Sequence, residues 1–68
     1  MQGTVKVWKS DLGWGFITGE DLQDYFCHFT NIEGEGRRNL TEGEWVDFEP
    51  VTTERGLAVR HLKVITKV

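Results

Sequence analysis

The sequence predicts an all-β fold, a single five-stranded antiparallel barrel over residues 1–68. Three observations lead there. Five short runs have strand character and are separated by turn-forming segments. No stretch has the apolar i, i+3, i+4 spacing of an amphipathic helix. Two neighbouring runs, Gly13-Trp14-Gly15-Phe16-Ile17 and Tyr25-Phe26-Cys27-His28-Phe29, carry aromatic rings at alternate positions, and side chains at i and i+2 share one face of a strand.

Residues 3–9 alternate, with Thr4, Lys6 and Trp8 on one face and Val5 and Val7 on the other, the pattern of a half-buried strand. Ser10-Asp11-Leu12-Gly13 is turn chemistry. Residues 14–18 form the second strand. Ile17 faces the core, Trp14 and Phe16 face away from it, and Gly15 leaves the backbone open on the side opposite the rings. Gly19-Glu20-Asp21-Leu22-Gln23 is a polar hairpin loop. Residues 24–29 form the third strand, with Tyr25 and Cys27 inward and Phe26 and His28 outward. Thr30-Asn31-Ile32-Glu33 fits a capping box, but Gly34 follows at once and limits the segment to one 3₁₀-type turn.

Glu35-Gly36-Arg37-Arg38-Asn39 reads as a mobile loop whose end Leu40 pins, and Thr41-Glu42-Gly43 as a turn. In the fourth strand Val46 and Phe48 are inward, and Trp45, Asp47 and Glu49 are outward. Pro50 cannot donate to a ladder and marks an edge or the strand's end. Thr52-Thr53-Glu54-Arg55-Gly56 is a loop, and residues 57–64 form a fifth strand rich in Leu and Val. A closed barrel removes the exposed edges of such a sheet. The five-stranded Greek-key barrel is the OB-fold, which binds oligonucleotides on strands 2 and 3. Those are the two strands that carry the rings.

A 68-residue chain buries only about 60% of its unfolded surface, so its core has little margin. Cys27 is the one cysteine, which leaves no intrachain disulfide and fits a reducing compartment. No apolar run approaches the roughly 20 residues of a membrane helix. The first residues lack the apolar core of a signal peptide, so a cytoplasmic protein without membrane contact is expected. Net charge is −3, from 11 acidic and 8 basic residues. That argues against duplex binding, which needs a basic footprint. It is compatible with single-strand binding by stacking, because any base can lie on a ring. Lys6 and Lys9 lie in the first strand, while Glu33, Glu35, Glu42, Glu44, Asp47 and Glu49 cluster in the middle third.

Catalysis finds no support. Ser10 is the only serine and has no nucleophile motif around it. No glycine-rich phosphate loop with a lysine occurs. His28 has no second histidine or cysteine at ligand spacing, so neither a metal nor another cofactor is expected. The rival to nucleic-acid binding is a protein-interaction barrel that docks a partner through the same aromatic face.

The two aromatic stretches, Leu12-Gly13-Trp14-Gly15-Phe16-Ile17 and Tyr25-Phe26-Cys27-His28-Phe29, resemble the paired motifs of the bacterial cold-shock proteins. The likeness extends to Gly3-Thr4-Val5-Lys6, Glu33-Gly34-Glu35-Gly36, Leu40-Thr41-Glu42-Gly43 and Arg55-Gly56. It implies a monomeric cytoplasmic barrel that binds single-stranded RNA and DNA, preferably pyrimidine-rich, with little sequence preference. It also implies an RNA chaperone and a cold-shock-type regulator of transcription and translation. The resemblance places Lys6, Trp8, Trp14, Phe16, Asp24, Phe26, His28, Phe29 and Arg55 at the binding face. Parity alone would put Phe29 inward.

The chain departs from the family at several positions. Val7-Trp8 replaces an adjacent Trp-Phe pair, Lys9 replaces an asparagine, Leu12 replaces the motif lysine, and Leu57 replaces a proline. Arg37 stands where an aromatic is common; its guanidinium can also stack on a base, or Arg37 and Arg38 are a solvated pair. These departures imply a divergent member with weaker or altered binding. Family members bring both neighbouring rings of the first strand to the surface, which requires a local irregularity such as a β-bulge.

Overall fold

A computed structural model describes residues 1–33 and 39–65. The strands are β1 (Gln2–Lys9), β2 (Trp14–Gly19), β3 (Asp24–His28), β4 (Trp45–Thr53) and β5 (Gly56–Val64). They close into a barrel in the order β1-β2-β3-β5-β4, with β4 returning to β1. All neighbours are antiparallel except β3 and β5, which run parallel and meet at Phe26 and Ala58. The all-β barrel expected from the sequence is the fold observed.

Alternation along each strand sends one set of side chains into the barrel. Val5, Trp8, Ile17, Tyr25, Cys27, Val46, Phe48, Val59 and Leu62 come from the strands, and Ile32 and Leu40 join this core from outside them. Tyr25 and Phe48 lie 5.1 Å apart across the interior. Cys27 is fully buried, and burial pushes its thiol up to about 12.

The first strand corrects a sequence expectation. Strict alternation puts Trp8 outward and Val7 inward. In the structure Val5 pairs with Ile17 but Val7 pairs with Phe16, so β1 carries one extra residue there. This bulge turns both Lys6 and Val7 to the outer surface and Trp8 into the core, where it is 9% exposed. The irregularity that the resemblance requires is therefore present, and it places Val7, not Trp8, on the outside.

Trp8 in turn corrects the expectation for Gly15. The backbone there is not open. A Cβ at Gly15 would stand 2.1 Å from the Val7 carbonyl oxygen and 2.7 Å from the Trp8 indole. The missing side chain is the space that the indole and the bulged backbone occupy.

A second irregularity lies in β5, where register slips between Asp47 and Glu49 of the partner strand. Arg60 and His61 are both exposed between buried Val59 and Leu62, and His61 takes a φ of 50°. Pro50 does not end β4. The strand continues to Thr53, and Pro50 sits beyond the last β1 partner, Asp47, where β4 keeps only β5 beside it.

The capping-box expectation at Thr30 also needs correction. The 3₁₀ turn spans Phe29–Asn31, and its cap is His28, whose side chain accepts from the Thr30 backbone N–H. The loop expected at Glu35–Asn39 lies outside the described residues except for Asn39, and Arg37 and Arg38 lie outside them with it. The Asn39 side-chain oxygen accepts from the Trp8 indole Nε1 at 3.4 Å.

The β2–β3 loop is tied to the barrel by the Tyr25 hydroxyl, which donates to the Asp21 carboxylate at 2.6 Å. That bond lowers the Asp21 pKa and raises that of Tyr25.

Gly15→Ala should destabilise the fold by about 1–3 kcal/mol through overpacking, a Tm drop of about 4–8 °C per kcal/mol in a domain of this size. Thermal melts followed by circular dichroism measure it. An unchanged Tm would mean that backbone and indole yield freely at this contact. The Asp21–Tyr25 bond should shape the pH profile of stability on both sides. A depressed carboxyl contributes stability above its ordinary value of 3.8 and loses it as pH falls through the lowered one. A raised phenol contributes below 10.0 and loses it as pH rises through the raised value. Tyr25→Phe should therefore be less stable than the parent near neutral pH, and the gap should close at both extremes. Urea titrations across pH would show a constant gap if the bond carried no weight.

Candidate nucleic-acid interface

The register of β2 against β3 assembles the outer face. Trp14 is opposite His28, Phe16 opposite Phe26 and Thr18 opposite Asp24. The intervening pairs, Gly15 with Cys27 and Ile17 with Tyr25, point inward. The core is thereby complete without the outward rings, and those rings remain at the surface.

Three of them form a triad. The centroids of Trp14 and Phe26 are 5.9 Å apart with planes tilted by 35°, and Phe16 stands edge-on to Trp14 at 6.1 Å and 86°. Phe16 and Phe26 are 6.0 Å apart and likewise edge-to-face, at 74°. These separations lie within the favoured range for aromatic pairs, so the rings hold one another in place. Phe16 is 37% exposed and Phe26 38%, and Trp14 is half-buried. Val7, the cross-strand partner of Phe16, continues the row on β1 as an aliphatic step beside the rings.

His28 and Phe29 extend the face past the end of β3. Their rings lie 4.7 Å apart. His28 is held through Nδ1, which accepts from the Thr30 backbone N–H at 3.4 Å and lies 3.0 Å from the Thr30 hydroxyl. Phe29 is half-buried. Its ring covers Gly13, whose φ of 77° shapes the β1–β2 turn and whose missing Cβ would stand 2.7 Å from that ring. Phe29 thus packs against the core cluster, as parity expects, and keeps a surface edge.

Lys6 and Asp24 both reach this face and bind each other. The Lys6 ammonium donates to Asp24 Oδ2 at 2.8 Å, and Thr18 Oγ1 donates to Oδ1 at 3.2 Å. The lysine and the threonine hold the Asp24 carboxyl below its ordinary value. The pair is exposed, so its weight in stability is small. Its effect is local: it sets one donor and one acceptor beside the Phe16–Phe26 row.

On the other flank, Arg55 and Phe26 line an open hollow of about 360 Å³ with Asn31, Thr53, Leu57 and Ala58. Sequence reading places Arg55 here but does not single out Asn31, Thr53 or Ala58. The parallel β3–β5 contact brings them in, and no local pattern announces that pairing.

Of the residues expected at the face, the structure brings together Lys6, Trp14, Phe16, Asp24, Phe26, His28, Phe29 and Arg55. Trp8 is in the core instead, and Arg37 lies outside the described residues. Among the described residues, no cluster of His, Cys, Asp or Glu has the arrangement of a metal site, and no helix is long and apolar enough to cross a membrane.

The family described as the 'Cold-shock' DNA-binding domain matches residues 1–65. The chain is 48% identical to Cold shock protein 1 of Lactiplantibacillus plantarum over 54 residues, which cover 79% of this chain and 82% of that one. It is 52% identical to Cold shock-like protein CspLB of Listeria monocytogenes over the same shares. With the Cold shock-like protein of Aquifex aeolicus it shares 42% identity over 65 residues, covering 94% of this chain and 93% of the relative. The solved structure of drosophila Unr CSD456 superposes with a TM-score of 0.78 at 27% identity; the match covers 96% of this chain and 26% of that longer one. With a family match spanning nearly the whole sequence, and a closed barrel bearing the paired aromatic strands, the chain belongs to the cold-shock domain family.

Proposed function

We propose that this protein binds single-stranded RNA and DNA with little sequence preference, stacking bases on the Trp14–Phe16–Phe26 triad, and catalyses no reaction. The triad, with Phe16 and Phe26 exposed and Trp14 half-buried, carries this reading. It presents ring faces that any unpaired base can cover, on strands whose inward residues already fill the core. Duplexes hide those base faces, and an overall charge of −3 offers no footprint for a duplex backbone. The Lys6–Asp24 pair and Arg55 flank the triad with polar groups that can meet base edges and phosphates.

We assign the protein a role as a monomeric cytoplasmic RNA chaperone and cold-shock-type regulator of transcription and translation. It would keep single strands open by competing for their bases, with a preference for pyrimidine-rich stretches.

Titration with short thymine or uracil oligonucleotides should quench Trp14 fluorescence, with a footprint of roughly 5–8 nucleotides. Phe16→Ala and Phe26→Ala should each weaken binding by about 1–3 kcal/mol, with smaller changes in melting temperature because both rings are exposed. Fluorescence that stays unchanged at high micromolar protein would turn the aromatic face over to a protein partner. His28→Ala is a less clean probe, since His28 also caps the 3₁₀ turn.

Val7→Trp should tighten binding. Val7 is half-buried on the outer surface opposite Phe16, so an indole there adds a ring to the row. The gain should be up to about 1–3 kcal/mol for one added stack, with the melting temperature kept. Lower stability without a gain in affinity would show that the bulge does not hold the position outward in solution.

A further inference from the structure

A further aromatic lies on the barrel surface at a distance from the triad. Trp45, the first residue of β4, is 42% exposed. Strand registers connect it to the triad's face without a gap. Trp45 pairs with Thr4, Thr4 with Thr18, and Thr18 with Asp24. This row crosses four strands and lies directly beside the Phe16–Phe26 row, because Thr18 and Asp24 are each two residues from a ring on the same strand face. With strands about 5 Å apart, Trp45 stands about 10 Å across the sheet from Thr18.

The hollow at that end has a volume of about 210 Å³, with Trp45 and Leu22 among its walls and Thr4 and Thr18 between. Leu22 is an unusual wall. It is 86% exposed, and its φ of 66° belongs to the left-handed region that a bulky side chain rarely adopts. A solvent-exposed leucine held in a disfavoured conformation is the kind of outlier that points to function. Among the described residues Glu20 is the one charged side chain lining the hollow, and Lys6 is bound to Asp24, at the far end of the same row. A strand crossing here would keep its phosphates toward Lys6 and turn its base into the apolar slot.

We infer that Trp45 and Leu22 form an outlying base-stacking subsite that lengthens the single-strand track by one or two nucleotides beyond the triad. The occupant is the same nucleic-acid strand, so the inference rests on the single-strand reading above. What favours it is the continuity of the two rows: one extended strand can pass from Phe16 across Thr18 and Thr4 to Trp45 without leaving the surface.

The test separates the two readings by oligonucleotide length. A thymine oligonucleotide of about six nucleotides covers the triad alone, and one of about ten reaches the outlying slot. Trp45→Ala should leave affinity for the short one unchanged and weaken binding of the long one about fivefold or more. Trp45→Phe should restore much of that loss. In NMR spectra the Trp45 indole N–H, assigned by its absence in Trp45→Phe, should move with the long oligonucleotide and stay still with the short one. If neither oligonucleotide binds the parent, the single-strand reading itself fails. If both bind but Trp45→Ala weakens neither, or weakens both equally, the subsite is overturned while that reading stands. An indole signal that answers to a lysine-rich apolar peptide and not to the long oligonucleotide would also overturn it, making the slot a protein-docking site.

Discussion

The Trp8 indole and the absent side chain of Gly15 share one space, and the outer face depends on that arrangement. Trp8 can enter the core only because β1 gains a residue at Lys6–Val7, and it fits only because β2 has no Cβ at position 15. The same glycine separates Trp14 from Phe16. One small residue thus lets the barrel interior close on a large ring while two other rings stay outside. The bulge adds a second effect, since it turns Lys6 outward beside Asp24 and Val7 outward beside Phe16. Filling the interior and building the platform are one constraint in a domain with so little core to spare.

The face is organised by register more than by charge. Cross-strand pairing sets each outward ring opposite another, and the rings then support one another edge-to-face. Among the described residues the flanking polar groups are few and partly neutralise each other, as Lys6 and Asp24 do. On the proposed single-strand reading, such a surface discriminates by whether a base is unpaired, since reading one base against another needs a denser set of fixed donors and acceptors.

Much of this was legible in the sequence because it is local. Alternation in β2 and β3 sorted Ile17, Tyr25 and Cys27 from Trp14, Phe16 and Phe26 correctly, and the same reasoning placed Val46 and Phe48. It failed in β1, where a bulge breaks the two-residue period and every side chain beyond it changes face. Trp8 was misplaced for that reason, and Gly15 with it. Pairing between distant segments was equally out of reach. The parallel contact of β3 with β5, and the Asn31 and Thr53 positions it brings to the face, arise from closure of the barrel. His28 as the cap of the 3₁₀ turn was hidden by a better-known pattern two residues later, Thr30 to Glu33.

Cys27 lies directly beneath the ring platform, opposite Gly15, with no exposed surface and a thiol held protonated well above neutral pH. Thiolate is the reactive form, so in the folded molecule Cys27 offers thiol reagents almost nothing to attack. Reaction must wait for the strands to separate. The single thiol therefore acts as a clock for barrel opening: its labelling rate reports how often the strands around it part. Because two of those strands, β2 and β3, carry the Trp14, Phe16 and Phe26 rings, a ligand that held them together would slow that clock.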